Sequence, residues 1–352
     1  MKQHKRKITI LVIVLLLLIG FFLPLPFYLE TPGTAESLSK FVTVDGKRDR
    51  RKGHYMLTTV ALQQARPLTY LWSKTQPFAE TVSKESLMGG ASNRTYEQMQ
   101  TYYMQSSIND AITVAYRRAG EAYHKKYRGI YVMSLLAGSK FKRHLAIGDT
   151  VTKIDGHAFK SAQQFINYVK RQRVGQKVTV TYTHKQRVKT TTQALVKLPG
   201  TKRPGLGITL VDHSQVKTDI PVKVNVGEIG GPSAGTMFTL EIYDQLTGGK
   251  LRRGRKIAGT GTMDAKGNVG AIGGIDKKVV AASRAGATIF FAPNDPVTKA
   301  DKKADPNYKN NYAVAKAAAK RIHSKIKVVP IKTFSDVVNY LKNNELMKPF
   351  RK

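Results

Sequence analysis

Apolar residues run almost without interruption from Ile8 to Leu29, directly after the basic stretch Lys2-Gln3-His4-Lys5-Arg6-Lys7. About twenty such residues are what a bilayer-spanning helix requires. The basic flank orients such a helix with its N-terminus in the cytoplasm and the rest of the chain outside. Residues 8–29 are therefore expected as a retained transmembrane signal anchor, its helix ending near Phe22 because Pro24 and Pro26 follow. A cleavable signal peptide is the alternative, disfavoured because no Ala-x-Ala site follows the run. Beyond it, Gly53 to Val60 is rich in β-branched and aromatic residues and predicts a strand. Thr95 to Ala119 predicts a long helix with Thr95 as N-cap and Gly120 past its end. Arg128 to Leu136 predicts a strand, Ser161 to Arg171 a helix, and Lys177 to Tyr182 another strand. Ile220 to Val226 alternates apolar and polar residues, the period of a half-buried strand. A helix then opens after Ser233 and stops at Gly248-Gly249, and another begins after Gly273-Gly274 and ends at Gly286.

Composition narrows the classes. At 352 residues and 41% hydrophobic content, the chain can hold two to three domains with real cores. It has no cysteine, so neither disulfides nor thiolate metal sites are available. With no His-Glu-x-x-His and no tight His/Asp/Glu cluster, no metal site and no cofactor are expected. The net charge is +36, spread over nearly every segment and not gathered on one helix or aromatic-studded sheet. That pattern argues for solubility and attraction to anionic lipid or a polyanionic cell wall; a nucleic-acid partner is disfavoured.

The chemistry concentrates at Gly230-Gly231-Pro232-Ser233-Ala234-Gly235, between a strand and a helix. Ser233 sits there on a tight, glycine-permitted turn at the positive end of a helix dipole. Backbone N–H groups of Ser233 and the adjoining turn (Gly231, Pro232, Ala234) could receive an oxyanion. The eight histidines are scattered, and none near this stretch has an acid partner at a useful spacing. The base is therefore sought in Lys278, which shares a helical face with Ile275, Ala281, Ala282 and Ala285. A lysine on such a face loses hydration, its pKa falls, and it can take a proton near neutral pH. Lys277 is read as lying on a wetter face, toward Arg284.

Gly-Gly-Pro-Ser-Ala-Gly, followed farther on by Ile272-Gly273-Gly274-Ile275-Asp276-Lys277-Lys278, resembles the proteolytic domain of Lon-type serine proteases. The resemblance runs from about Gly205 to Leu341. It implies a Ser–Lys dyad of Ser233 and Lys278, with Thr260 orienting the lysine. It departs at Gly230, where ATP-dependent members usually carry an acidic residue. The order strand, Leu145-Ala146-Ile147-Gly148-Asp149, Ile154-Asp155-Gly156, helix, strand resembles a bacterial protease-associated PDZ domain over residues 125–198. PDZ domains add an extended peptide to a sheet edge. The expected groove is Gly129, Ile130, Tyr131 and Val132 against Phe165 and Val169. No Gly-x-x-x-x-Gly-Lys-[Ser/Thr] phosphate loop occurs in the chain.

The whole arrangement resembles the membrane-anchored PDZ–Lon-like cell-surface proteases of Gram-positive bacteria. The expected fold is α+β and multidomain. Its parts are a cytoplasmic basic tail (1–7), a transmembrane helix (8–29), a membrane-proximal region (30–124) and a small β-sandwich or barrel PDZ domain (125–198). A linker (199–205) and a Lon-type α/β proteolytic domain (206–347) follow. The expected function is ATP-independent serine endopeptidase action on secreted or surface peptides and flexible segments, at the outer face of a cell membrane. Lon-type proteolytic domains often form hexameric rings; without an ATPase a homo-oligomer is one alternative here. The competing functions are an inactive PDZ scaffold and a basic wall- or nucleic-acid-binding protein.

Overall fold

The computed structural model describes residues 2–343; Met1 of the expected tail and 344–347 of the expected proteolytic domain lie outside them. Helix α1 (Lys2–Phe22) opens the chain. No helix among the described residues is long and apolar enough to cross a membrane. Charged residues fill the first turns of α1, leaving an apolar helical stretch from Ile8 to Phe22. At 1.5 Å per residue that is about 22 Å, short of a hydrocarbon core of about 30 Å. The helix stops before Pro24 and Pro26, and the remaining apolar residues open strand β1 (Phe27–Ser37). The expected transmembrane helix, and the single-pass membrane location built on it, are overturned.

Residues 30–124 continue with β2 (Val42–Val44), β3 (His54–Gln64), β4 (Glu80–Ser83) and the 27-residue helix α2 (Asn93–Ala119). Helix α2 begins before the expected Thr95. Ser92 is its cap, accepting a hydrogen bond from the Thr95 N–H at 3.2 Å, which satisfies one of the first-turn donors.

Strands β5 (Tyr123–Leu135) and β6 (Thr150–Ile154), helix α3 (Ala162–Lys170), and strands β7 (Lys177–His184), β8 (Arg187–Ala194) and β9 (Ile208–Thr218) form a second unit. Its sheet runs β9-β5-β6-β7-β8, over a core that includes Ile130, Val132, Phe141, Phe165 and Val180. The Gly-Asp and Asp-Gly pairs hold its turns. Buried Asp149 accepts from the Ala146 N–H, and Asp155, at φ 49°, accepts from the Thr179 N–H.

The remainder comprises β10 (Val222–Val224), α4 (Gly235–Leu246), β11 (Lys256–Gly259), α5 (Ile275–Arg284), β12 (Ile289–Pro293), α6 (Asn311–Arg321), β13 (Lys327–Ile331) and α7 (Phe334–Asn343). Its main sheet runs β13-β12-β11-β3-β1-β4. Strands β11, β12 and β13 are parallel, joined through α5 and α6, and β3 pairs in parallel with β11, His54 opposite Lys256. Both faces are covered, so Ile289-Phe290-Phe291-Ala292 is apolar at every position. Tyr55, Leu57, Ile257 and Phe291 pack toward α2, α4 and α7, while Met56, Ala258, Phe290 and Ala292 pack toward α5 and α6. The site lies where β11 ends between these two layers.

Candidate active site

Three elements meet there. The turn before α4 carries Ser233, the residue after β11 is Thr260, and the first turns of α5 carry Lys278. Beyond the carboxyl ends of parallel strands is where open α/β sheets bind ligands. The turn is tied down on both sides. The Ser233 carbonyl accepts from the Gly261 N–H at 2.9 Å and from Thr260 Oγ1 at 3.0 Å. Helix α2 backs the turn: Ser107 Oγ donates to the Pro232 carbonyl at 2.9 Å, and the Gly231 N–H donates to the Gln100 carbonyl at 3.0 Å. A Cβ on Gly230 would come within 2.8 Å of Gln100 Cβ. The acidic side chain usual in ATP-dependent Lon enzymes has no room at Gly230 while α2 lies there.

Lys278 Nζ donates to Ser233 Oγ at 2.6 Å and reaches Thr260 Oγ1 at 3.3 Å. Lys278 is only 3% exposed and Thr260 1%. Burial pushes the Lys278 pKa down to about 8, with the Glu30 carboxylate working in the opposite direction. Such an amine is neutral in an appreciable fraction at neutral pH and can accept the Ser233 proton. The Gly231 N–H is engaged by Gln100, and Pro232 has no N–H to give. Of the turn residues expected to meet an oxyanion, that leaves the N–H groups of Ser233 and Ala234, just before α4. A cavity of about 390 Å³ opens over the pair, with Leu57, Met104, Ile229, Thr34 and Thr59 among its lining residues and Glu228 in its wall.

The structure brings Ser233, Thr260 and Lys278 together, with Gly231, Pro232 and Ala234 shaping the turn. It differs at Lys277, read from sequence as a wetter position. Lys277 is 3% exposed, held by Glu80 at 2.9 Å, Asp276 at 3.5 Å and Glu30 at 3.7 Å. Burial works to lower its pKa, but these three carboxylates keep it raised. Glu80 and Glu30 come from distant strands, which is why helical spacing alone could not reveal them. Gln100 and Ser107 were missed for the same reason.

The expected peptide edge along Gly129, Ile130, Tyr131 and Val132 is not available. Strand β5 has β6 on one side and β9 on the other: Ile130 faces both Val151 and Asp212, and Tyr131 both Thr150 and Val211. Ile130, Val132, Phe165 and Val169 are core residues. The end strand beside α3 is β9, from a stretch read as the start of the proteolytic domain. The signal that would have found it is Gly205-Leu206-Gly207-Ile208, a glycine-flanked apolar step into a strand.

The chain matches two domain families. Residues 120–195 match the PDZ domain family, and residues 175–341 match the Lon protease C-terminal proteolytic domain. Lon protease of Mycoplasma genitalium is 32% identical over 127 residues, covering 36% of this chain and 14% of that protein. Lon protease of Desulforamulus reducens is 41% identical over 81 residues, covering 22% of this chain and 10% of that protein. A crystal structure of the PDZ domain of an SdrC-like protein from Listeria monocytogenes is 40% identical, covering 24% of this chain and 90% of that one, with a TM-score of 0.24. The chain thus spans a small part of the Lon proteases it matches. It carries a PDZ domain and a proteolytic domain of the Lon serine-peptidase class.

Proposed function

We propose that the chain is an endopeptidase that cleaves flexible peptide segments with a Ser233–Lys278 dyad, without ATP, and that its PDZ domain holds the substrate. The observation that carries this reading is the 2.6 Å hydrogen bond from the Nζ of buried Lys278 to Ser233 Oγ. Neutral Lys278 takes the Ser233 proton as Oγ attacks the scissile carbonyl. Negative charge developing on the carbonyl oxygen is met by the Ser233 and Ala234 N–H groups. The resulting Lys278 ammonium returns its proton to the leaving amine. A water then attacks the acyl-enzyme, giving its proton to Lys278, and the serine is regenerated. Thr260 acts as a positioning residue, since its hydroxyl bridges Lys278 and the Ser233 carbonyl.

A cavity of about 390 Å³, lined by Leu57, Val60, Met104 and Ile229 together with threonines and Glu228, suits one side chain of an extended segment, and it has no room for a folded domain. Peptide capture by the PDZ domain is assigned to β9 from Ile208 to Val211, the end of its sheet and next to α3.

The test incubates the purified chain with an unstructured protein and a mixed peptide library, in the absence of nucleotide, and reads products by mass spectrometry. Cleavage by the parent and at least a 10³-fold loss in both Ser233→Ala and Lys278→Ala are expected. Equal cleavage by all three proteins would end the dyad reading.

A further inference from the structure

Two carboxylates stand directly opposite each other in the catalytic sheet, Glu30 on β1 and Glu80 on β4. Like charges in that register are destabilising, unless something lies between them. That something is Lys277, the residue next to the dyad lysine. Its ammonium takes Glu80 at 2.9 Å and Glu30 at 3.7 Å. Glu30 also abuts the start of α5. A Cβ on Gly274 would fall 2.4 Å from Glu30 Oε1 and 2.7 Å from Val60 Cγ1. Gly274 has φ 65° at the N-cap of α5, so the absence of a side chain there serves both the backbone and the carboxylate. The Gly274 carbonyl in turn accepts the Lys278 N–H at 3.1 Å. Glu30 therefore touches the turn from which the dyad lysine projects.

We propose that Glu30 is a positioning residue for the dyad: through Lys277 it seats α5 on β1, and its charge sets the acid limit of turnover. This rests on the Ser233–Lys278 reading. The charged and titratable groups around the site are Glu30 on β1, Glu80 on β4 and Asp276 on α5, all within ion-pair reach of Lys277, Tyr96 on α2, whose hydroxyl feels the Glu30 charge, and Glu228 in the cavity wall. Glu30 is the carboxylate among them that acts on the Lys278 charge, and Lys277 partly neutralises it. The two members of the pair thus pull the base in opposite directions. Removing Glu30 makes Lys278 easier to deprotonate. Removing Lys277 releases the full Glu30 charge onto Lys278 and makes it harder.

The experiment compares the full chain with Glu30→Gln, Lys277→Met and Glu80→Gln. It measures kcat/KM against pH on a fluorogenic peptide. In parallel, the Lys278 titration is followed by NMR of 13Cε-lysine protein, its signal assigned by loss in Lys278→Arg. In Glu30→Gln the acid limb and the NMR midpoint should both move to lower pH, giving about 3- to 10-fold higher activity relative to its own plateau near pH 6.5. In Lys277→Met both should move to higher pH, and in Glu80→Gln, whose carboxylate is largely exposed, neither should move. Opposite shifts from two halves of one ion pair are not what loosened packing produces. If the two variants move the limb the same way, or Glu30→Gln leaves it in place, the proposal is wrong. Should Glu30→Gln fail to fold, Lys277→Met decides alone: a limb that stays or falls overturns it. A chain without turnover would overturn the dyad reading and with it the acid-limit assignment; a Lys278 midpoint that still shifts as stated would then support only the action of the Glu30–Lys277 pair on the Lys278 charge.

Discussion

A buried lysine is hardest on the fold while it is charged. Lys278 is 3% exposed, and its pKa lies at about 8, below its ordinary 10.5, because burial outweighs the attraction of Glu30. The sign follows from linkage. A group with a depressed folded-state pKa contributes stability above its unfolded pKa and loses it as pH falls through the folded one. Here stability is lost between about 10.5 and 8, and the full cost is present at neutral pH. Lys278→Met removes that cost, keeps the volume, and gives up the bonds to Ser233 and Thr260. The variant should be inactive yet more stable than the parent near pH 7, on the order of 1–2 kcal/mol. Its advantage should disappear toward pH 10.5. Urea unfolding at pH 7 and pH 10 checks this, and a variant destabilised at both would contradict it.

Helix α4, which starts just after the Ser233 turn, shows the same tension at the scale of an element. It is buried from Gly235 to Asp244, yet it carries Glu241 and Asp244. Asp244 accepts from the Tyr55 hydroxyl at 2.9 Å and from the Leu251 N–H at 3.0 Å. Arg252, fully buried, bonds Asp49 and lies 3.7 Å from Glu241. Among the described residues Glu241 Oε2 and Arg252 Nε have no hydrogen-bond partner. Burial raises the Glu241 pKa from 4.5 to about 7 against the pull of Arg252 and Gln245. A raised folded-state pKa means stability that is present below about 4.5 and lost as pH rises through about 7. Glu241→Gln keeps the oxygen that accepts from Gln245 and removes the titration. It should match the parent near pH 4.5 and exceed it above pH 7, by on the order of 2 kcal/mol, as thermal melts across that range would reveal.

The local parts of this arrangement were legible from sequence. The turn at Ser233, the helix that bears Lys278 and the helix capped by Ser161 are each encoded within a dozen residues. The partners were not, since pairing between His54 and Lys256, or between Lys277 and Glu80, has no local period. The apolar run at the N-terminus misled because length and hydrophobicity do not say where a helix yields to a strand, as happens between Phe22 and Phe27.

At the scale of the whole molecule, the proteolytic site is assembled from two ends of the chain with the PDZ sheet inserted between them. Strands β3, β1 and β4 form half of the six-stranded sheet, and α2 props the Ser233 turn, although all four precede the PDZ segment. The junction is closed by α2 as well. Tyr102 donates to the Asp212 carbonyl, and Asn109 Nδ2 donates to the Ser214 carbonyl at 2.9 Å. Gln100 and Ser107 of the same helix hold the turn at Ser233. A truncated chain beginning at residue 200 would keep Ser233, Thr260 and Lys278. It would also expose one edge of β11 and the apolar faces of Ile257, Met237 and Phe238, which pack on β3 and α2. Exposed edges and apolar faces of that kind lead to aggregation. Such a fragment should show no cooperative melt and no cleavage, whereas a chain beginning at residue 24, lacking only residues 1–23 with α1, should melt cooperatively and keep activity within a few-fold of the full protein. Circular dichroism melts and the peptide assay distinguish the two. A folded, active fragment from residue 200 would show that all that precedes it, the first strands and most of the PDZ strands alike, is an accessory layer, and would remove the reason for Glu30 to lie where it does.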